Sequence, residues 1–146
     1  MPSRHHDDAK IERLKSIALF SHADKKALSH LASAADEVTV AAGTALITEG
    51  HRHNEGYLIV SGGVEVEVGG NKVADVPAGE LIGELALFGS NPVASATVKA
   101  TTETAVLVIP YNRFDEILDD NPSLTKAVAK QLANRLQKMD RLYEER

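Results

Sequence analysis

The stretch Gly79-Glu80-Leu81-Ile82-Gly83-Glu84-Leu85-Ala86-Leu87, followed by Pro92 and by Val93-Ala94-Ser95-Ala96-Thr97-Val98, has residue types that suit the binding of a phosphate ester. A turn that opens a short helix presents unpaired amides and the positive end of the backbone dipole. Gly83 permits close approach of the main chain, and the Glu84 carboxylate can accept a hydrogen bond from a sugar hydroxyl. The complication is charge, because no Lys or Arg occurs between residues 79 and 98. A phosphate held there would meet neutral donors, which contribute less than charged ones.

The rest of the composition excludes other chemistries. With no cysteine, disulfides, thiolate metal sites and cysteine nucleophiles are absent. No Ser/His/Asp order or paired-carboxylate context recommends catalysis. The formal charge of −5 is poorly suited to polyanions, and no basic patch stands out along the chain. The longest apolar run, Ala105–Pro110, is far too short to span a bilayer, and the N-terminus is hydrophilic. The expectation is a soluble cytoplasmic protein with no nucleic-acid or membrane partner. His5-His6 reads as part of a solvated tail.

A chain of 146 residues is the size of one domain. Ile11, Leu14, Ile17 and Ala18 recur at helical spacing between Asp8 and Phe20. Ser21-x-x-Asp24 resembles a capping box opening a second helix, with Leu28 and Leu31 on its buried face. From Glu37 the period becomes two. Short runs at 38–40, 45–47, 57–60, 64–68, 72–76, 96–98 and 105–109 are separated by glycine-rich turns such as Gly62-Gly63 and Gly69-Gly70-Asn71. Glu65 and Glu67 alternate with valines and are predicted to face water. After Pro110, Phe114, Ile117 and Leu118 mark a short helix, and Asn121-Pro122-Ser123 opens a last one from about Leu124. The plan is helices over about 8–33, a β-roll over about 37–110 and helices over about 111–145, in one domain covering 1–146. The fold class is α+β: an antiparallel β jelly roll (double-stranded β-helix) flanked by N- and C-terminal helices.

At this point the order of elements, Gly56-Tyr57-Leu58-Ile59-Val60 with its hairpin, and above all Ile82-Gly83-Glu84-Leu85-Ala86-Leu87 resemble the cyclic nucleotide-binding domain. That family includes the catabolite activator protein and the protein kinase A regulatory subunits, and the likeness runs from about Ile17 to Leu142. The resemblance implies that a short helix between two strands holds the cyclic phosphate and ribose. It also implies a ligand-binding set of Gly83, Glu84, Leu85, Ala94, Ser95, Ala96 and Arg135. Glu84 is the acceptor for the ribose 2′-hydroxyl in this set; read from the residues alone it is a first-turn helix carboxylate, and Leu85 with Leu87 reads as core.

The departure lies at the cation. Members that bind cyclic AMP usually carry an Arg shortly before the Ala and Thr-Val that close this segment. Here that position is Ala94, or Val93 with a shift of one. Removing one partner of such a desolvated pair costs about 2–5 kcal/mol, or roughly 30- to several-thousand-fold in affinity. Lys99 lies too far along the strand to substitute, and Arg52 falls in a loop read as a solvated hairpin tip. Arg135 matches a family Arg on the last helix that can pair with the ribose-binding Glu, so it is expected either to reach Glu84 or to face solvent. Leu132, Leu136, Met139 and Tyr143 step by four, three and four, a seam that predicts a homodimer through this helix.

Three functions compete. The first is a non-catalytic sensor or regulatory module that binds a cyclic nucleotide weakly or not at all, with no cofactor. The second is a non-binding descendant used for dimerisation or interaction with an unknown protein. The third is a metalloenzyme of the cupin kind, suggested by His51-x-His53-x-Glu55; the His that its second half would need is replaced by Ile82. No helix-turn-helix follows the last helix before Arg146, so direct DNA regulation is not expected.

Overall fold

The computed structural model describes residues 2–21, 23–83 and 93–144, with side chains described between 8 and 138 of these. Helix α1 covers Pro2–Lys15, a 3-10 turn covers Ala18–Phe20 and helix α2 covers Lys25–Ala34. Eight strands follow: β1 Asp36–Val40, β2 Ala45–Ile47, β3 Glu55–Ser61, β4 Gly63–Val68, β5 Asn71–Pro77, β6 Leu81–Ile82, β7 Thr97–Ala100 and β8 Thr104–Pro110. Helices α3, Tyr111–Asp120, and α4, Pro122–Glu144, complete the described chain.

The strands form two four-stranded antiparallel sheets, ordered β1-β8-β3-β6 and β2-β7-β4-β5. Successive strands change sheet at every step except the β4–β5 hairpin, which makes the structure the expected jelly roll. The turn of that hairpin is Gly69-Gly70, both at positive φ, the geometry of a two-residue loop matched to strand twist.

Alternation along the first sheet creates two cores. Leu58, Leu81, Leu107 and Ile109 face the helices, where Leu14, Phe20, Leu31, Phe114 and Leu124 cover them. Ile59 and Ile82 point the other way, into the roll, against Ile47, Val64, Val98 and Ala94. Each fully buried Leu, Ile or Phe is worth about 1.5–3 kcal/mol, so the helices and the roll are tied through one shared sheet.

Several sequence expectations need correction. The first helix ends at Lys15 and the chain continues through the 3-10 turn, and His5-His6 lies inside α1 rather than in a tail. Asp24 itself caps α2, accepting from the Ala27 N–H at 2.8 Å, while the Ser21 hydroxyl donates back to the Ala18 carbonyl. The carboxylate one position before the helix outcompetes the hydroxyl because it needs no rearrangement of the turn. Glu67 is not a water-facing acid: its side chain is 18% exposed and lies 3.2 Å from the Lys99 ammonium on the neighbouring strand. Strand β6 was not anticipated, since two residues carry no alternation to read.

Gly62 is the turn that depends most on its residue. Its φ is +87°, and a Cβ there would lie 2.6 Å from the Glu103 carbonyl oxygen and 2.9 Å from the Thr104 Cα. Gly62→Ala is expected to destabilise the protein by about 2 kcal/mol or more, read as a lower midpoint in urea unfolding, because backbone atoms cannot yield as a side chain can.

Candidate functional site

Strand β6 delivers the chain to the segment 84–92, and Val93-Ala94 brings it back. Glu84 and Leu85, both expected in the ligand-binding set, lie outside the described residues, as do the side chains of Met139 and Tyr143. The two ends of the segment are well defined. On the entering side Gly83 adopts φ +83°, and a Cβ there would stand 3.2 Å from both the Glu55 carbonyl oxygen and the Tyr111 hydroxyl. The Tyr111 hydroxyl donates to the Gly83 carbonyl and is 2.9 Å from His53 Nδ1. Because its one proton goes to Gly83, the hydroxyl accepts from His53, which therefore carries hydrogen on Nδ1. His53 is thus tied to Tyr111 through Nδ1, and among the described residues no group of three or more His, Asp or Glu is placed to hold a metal.

On the returning side, the His51 carbonyl accepts from the Ala94 N–H and the Ala94 carbonyl from the Gly50 N–H, both at 2.9 Å. Arg52 and Val93 oppose each other in this short bridge, and both are exposed. Ala94 points inward, 7% exposed, within the apolar cluster of the roll. Ser95 is exposed and Ala96 half-buried in the bend that leads to β7. The Thr97 hydroxyl accepts from the Glu49 N–H at 2.9 Å, which ties the bend to the β2–β3 loop. The cations considered as substitutes are engaged or turned outward: Lys99 pairs with Glu67, and Arg52 sits on the outer side of its bridge. Tyr57, which the sequence reading did not single out, packs against the same roll cluster. Burial first, and then the nearby Glu55 carboxylate, hold its phenol above the ordinary value of 10.0.

Arg135 is not solvent-facing, and whether it reaches Glu84 lies outside the described residues. Its Nε lies 3.1 Å from Glu80 Oε1, and one terminal nitrogen donates to the Leu81 carbonyl. Gln131, one helical turn earlier, accepts from the Leu81 N–H at 3.0 Å. Glu80 and Gln131 escaped sequence analysis, although the i, i+4 spacing of Gln131 and Arg135 on one helix face was available as a signal. Two surface depressions of about 550 Å³ each lie outside the roll. One runs between the 3-10 turn and α4, and the other is formed by Asn54, Glu55, Pro110, Tyr111 and Asn112.

Comparison with known proteins now decides the family. The model of the cyclic nucleotide-binding domain matches residues 37–121, from the second residue of β1 through β8 and α3. The chain belongs to the cyclic nucleotide-binding domain family. Among its relatives is the Pycsar effector protein PaPycTIR of Pseudomonas aeruginosa, 36% identical over 97 residues, a match covering 66% of this chain and 32% of the effector. The cAMP-activated global transcriptional regulator CRP of Salmonella typhimurium is 35% identical over 97 residues, covering 63% of this chain and 46% of the regulator. The match therefore spans about a third of the effector and less than half of the regulator. Cyclic-AMP-bound PfPKA-R shares the fold with a TM-score of 0.81 at 18% identity, covering 95% of this chain and 48% of that one. Thermus thermophilus Catabolite Activator Protein does so with a TM-score of 0.73 at 24% identity, covering 86% and 61%. No helix among the described residues is long and apolar enough to cross a membrane.

The Arg135–Glu80 contact in this domain is a partly shielded pair, with side chains 25% and 23% exposed. A double-mutant cycle with Arg135→Met and Glu80→Gln is expected to give a coupling of about 1 kcal/mol in unfolding free energy, above the usual value of a fully exposed pair. A coupling indistinguishable from zero would mean that the two charges are held apart by water.

Proposed function

We propose that this chain is a non-catalytic sensor or regulatory module of the cyclic nucleotide-binding family whose affinity for cyclic AMP is weak or nil. The observation that carries the reading is Ala94. By its resemblance to cyclic-AMP-binding members it stands where they place an Arg, and its methyl is buried in a cluster with Ile47, Ile82 and Val98. Gly83, at positive φ, is assigned to the close main-chain approach of such a ligand. Glu84 is assigned to the sugar hydroxyl, with Leu85, Ser95 and Ala96 completing the proposed lining and Arg135 bracing it from α4. The CRP relative is by name cAMP-activated; this chain keeps the family framework and lacks the positive charge that would hold the anion.

The measurement is calorimetric titration with cyclic AMP, cyclic GMP and a cyclic dinucleotide. Wild-type protein is expected to show no saturation by cyclic AMP at micromolar concentration. Ala94→Arg is expected to tighten cyclic AMP binding roughly 30-fold or more, since it restores a charge-assisted partner for the phosphate. Tight wild-type binding, or no gain from a folded Ala94→Arg variant, would overturn the reading.

A second reading, a constitutive interaction or dimerisation unit, is favoured by one observation. Arg135 and Gln131 hold α4 against β6 through their contacts with Leu81. For that role we infer a homodimer through α4, where Leu132 packs against the helical core but Leu136 remains 62% exposed. Sedimentation at micromolar concentration is expected to give a dimer, and Leu136→Glu a monomer. A monomeric wild-type chain would remove the dimer from either reading.

A further inference from the structure

We propose that the groove between the 3-10 turn and α4 is a docking site for an acidic, amphipathic helix of a partner protein. The inference is independent of whether the roll binds a nucleotide. The groove is about 550 Å³ in volume, and its apolar lining comprises Ala18, Leu19, Ala23 and Ala127, with Leu124 only 1% exposed. Its rim carries Lys126, Lys130 and Lys138, all exposed, on one face of α4. The spacing is i, i+4 and i+12, so the three ammonium groups run along about 18 Å of helix.

The charge distribution is what sequence composition concealed. Between Pro122 and Lys138 there are four cations and no acid. Taking those four from the formal −5 leaves −9 on the remainder of the chain. The one acid lining the groove, Glu80, is already paired with Arg135. Among the described residues, Lys126, Lys130 and Lys138 enter no ion pair. Like charges one turn apart repel by a few tenths of a kcal/mol, an unfavourable arrangement that an anionic partner would relieve.

Charge and shape together select the occupant. An apolar floor bordered by cations fits a helix with a hydrophobic face flanked by Glu or Asp, the helix-in-groove mode of recognition. Extended nucleic acid would gain little from the apolar floor, and its phosphates beyond the groove would meet the acidic remainder of the chain. The exposed Leu136 does not line the groove; at 100° per residue it lies on the far flank of α4, so a dimer through that flank leaves the groove open.

The test uses the full chain and a fluorescein-labelled helical peptide of about 15 residues, long enough to hold helix once bound, with leucines on one face and glutamates on both flanks. Fluorescence anisotropy is expected to show saturable, salt-sensitive binding. A control peptide with Gln for every Glu is expected to bind at least about tenfold more weakly, and the triple variant Lys126→Gln, Lys130→Gln, Lys138→Gln to lose a similar factor. Ala127→Gln, which fills the floor without changing charge, is expected to weaken the same peptide. Should Ala127→Gln unfold the chain, the triple variant alters exposed side chains alone and keeps the test decisive. Absence of saturable binding, equal binding of the Glu and Gln peptides, or indifference to the triple variant would overturn the proposal. So would tighter binding to a single-stranded DNA oligonucleotide of equal charge, or to phosphatidylserine vesicles.

Discussion

Strand β6 is two residues long and lies at the edge of its sheet, so one side of its backbone has no neighbouring strand. On the inner side, the Glu80 carbonyl accepts from the Ile59 N–H at 3.0 Å. On the outer side, the Leu81 N–H and carbonyl would be left unpaired, at a cost that buried main chain rarely bears. Gln131 and Arg135 supply what a further strand would have supplied, one accepting and one donating. The Tyr111 hydroxyl does the same for the Gly83 carbonyl two residues on. The stretch that leads into the proposed ligand segment is therefore fixed by side chains of the two C-terminal helices.

This arrangement makes the helices and the roll answer to each other. Leu81 is buried against the helices while Ile82 is buried inside the roll, so a displacement of β6 disturbs both cores at once. The contacts of Gln131 and Arg135 with Leu81 tie α4 to the strand that leads into the 84–92 segment. The Arg135–Glu80 pair anchors the helix beside the entrance to that segment. In the roll interior Ala94 sits among aliphatic neighbours.

Much of the fold was legible because period is a local property. The runs at 45–47 and 64–68 reappear within β2 and β4, and the Gly69-Gly70 turn joins β4 to β5 as its residues require. Pro122 starts the last helix, as a residue without an N–H to lose can. What failed were choices between chemically equivalent neighbours: Ser21 or Asp24 as cap, Glu67 toward water or toward Lys99. Alternation indicates which face of a strand a residue occupies, but not which side chain on the adjacent strand stands opposite.

The residues themselves determined the jelly roll, the glycine turns, and the absence of any cation between 79 and 98. They also placed Arg135 on the last helix, where family resemblance gave it an acidic partner. Only the tertiary structure decided that Glu80 is such a partner, that His53 is occupied by Tyr111, and that the lysines of α4 border an apolar groove. The division follows from distance along the chain. Helical and strand periods, turns and composition are set by residues a few positions apart, whereas each of these contacts joins segments separated by more than fifty residues and exists only once both cores have closed around the shared sheet.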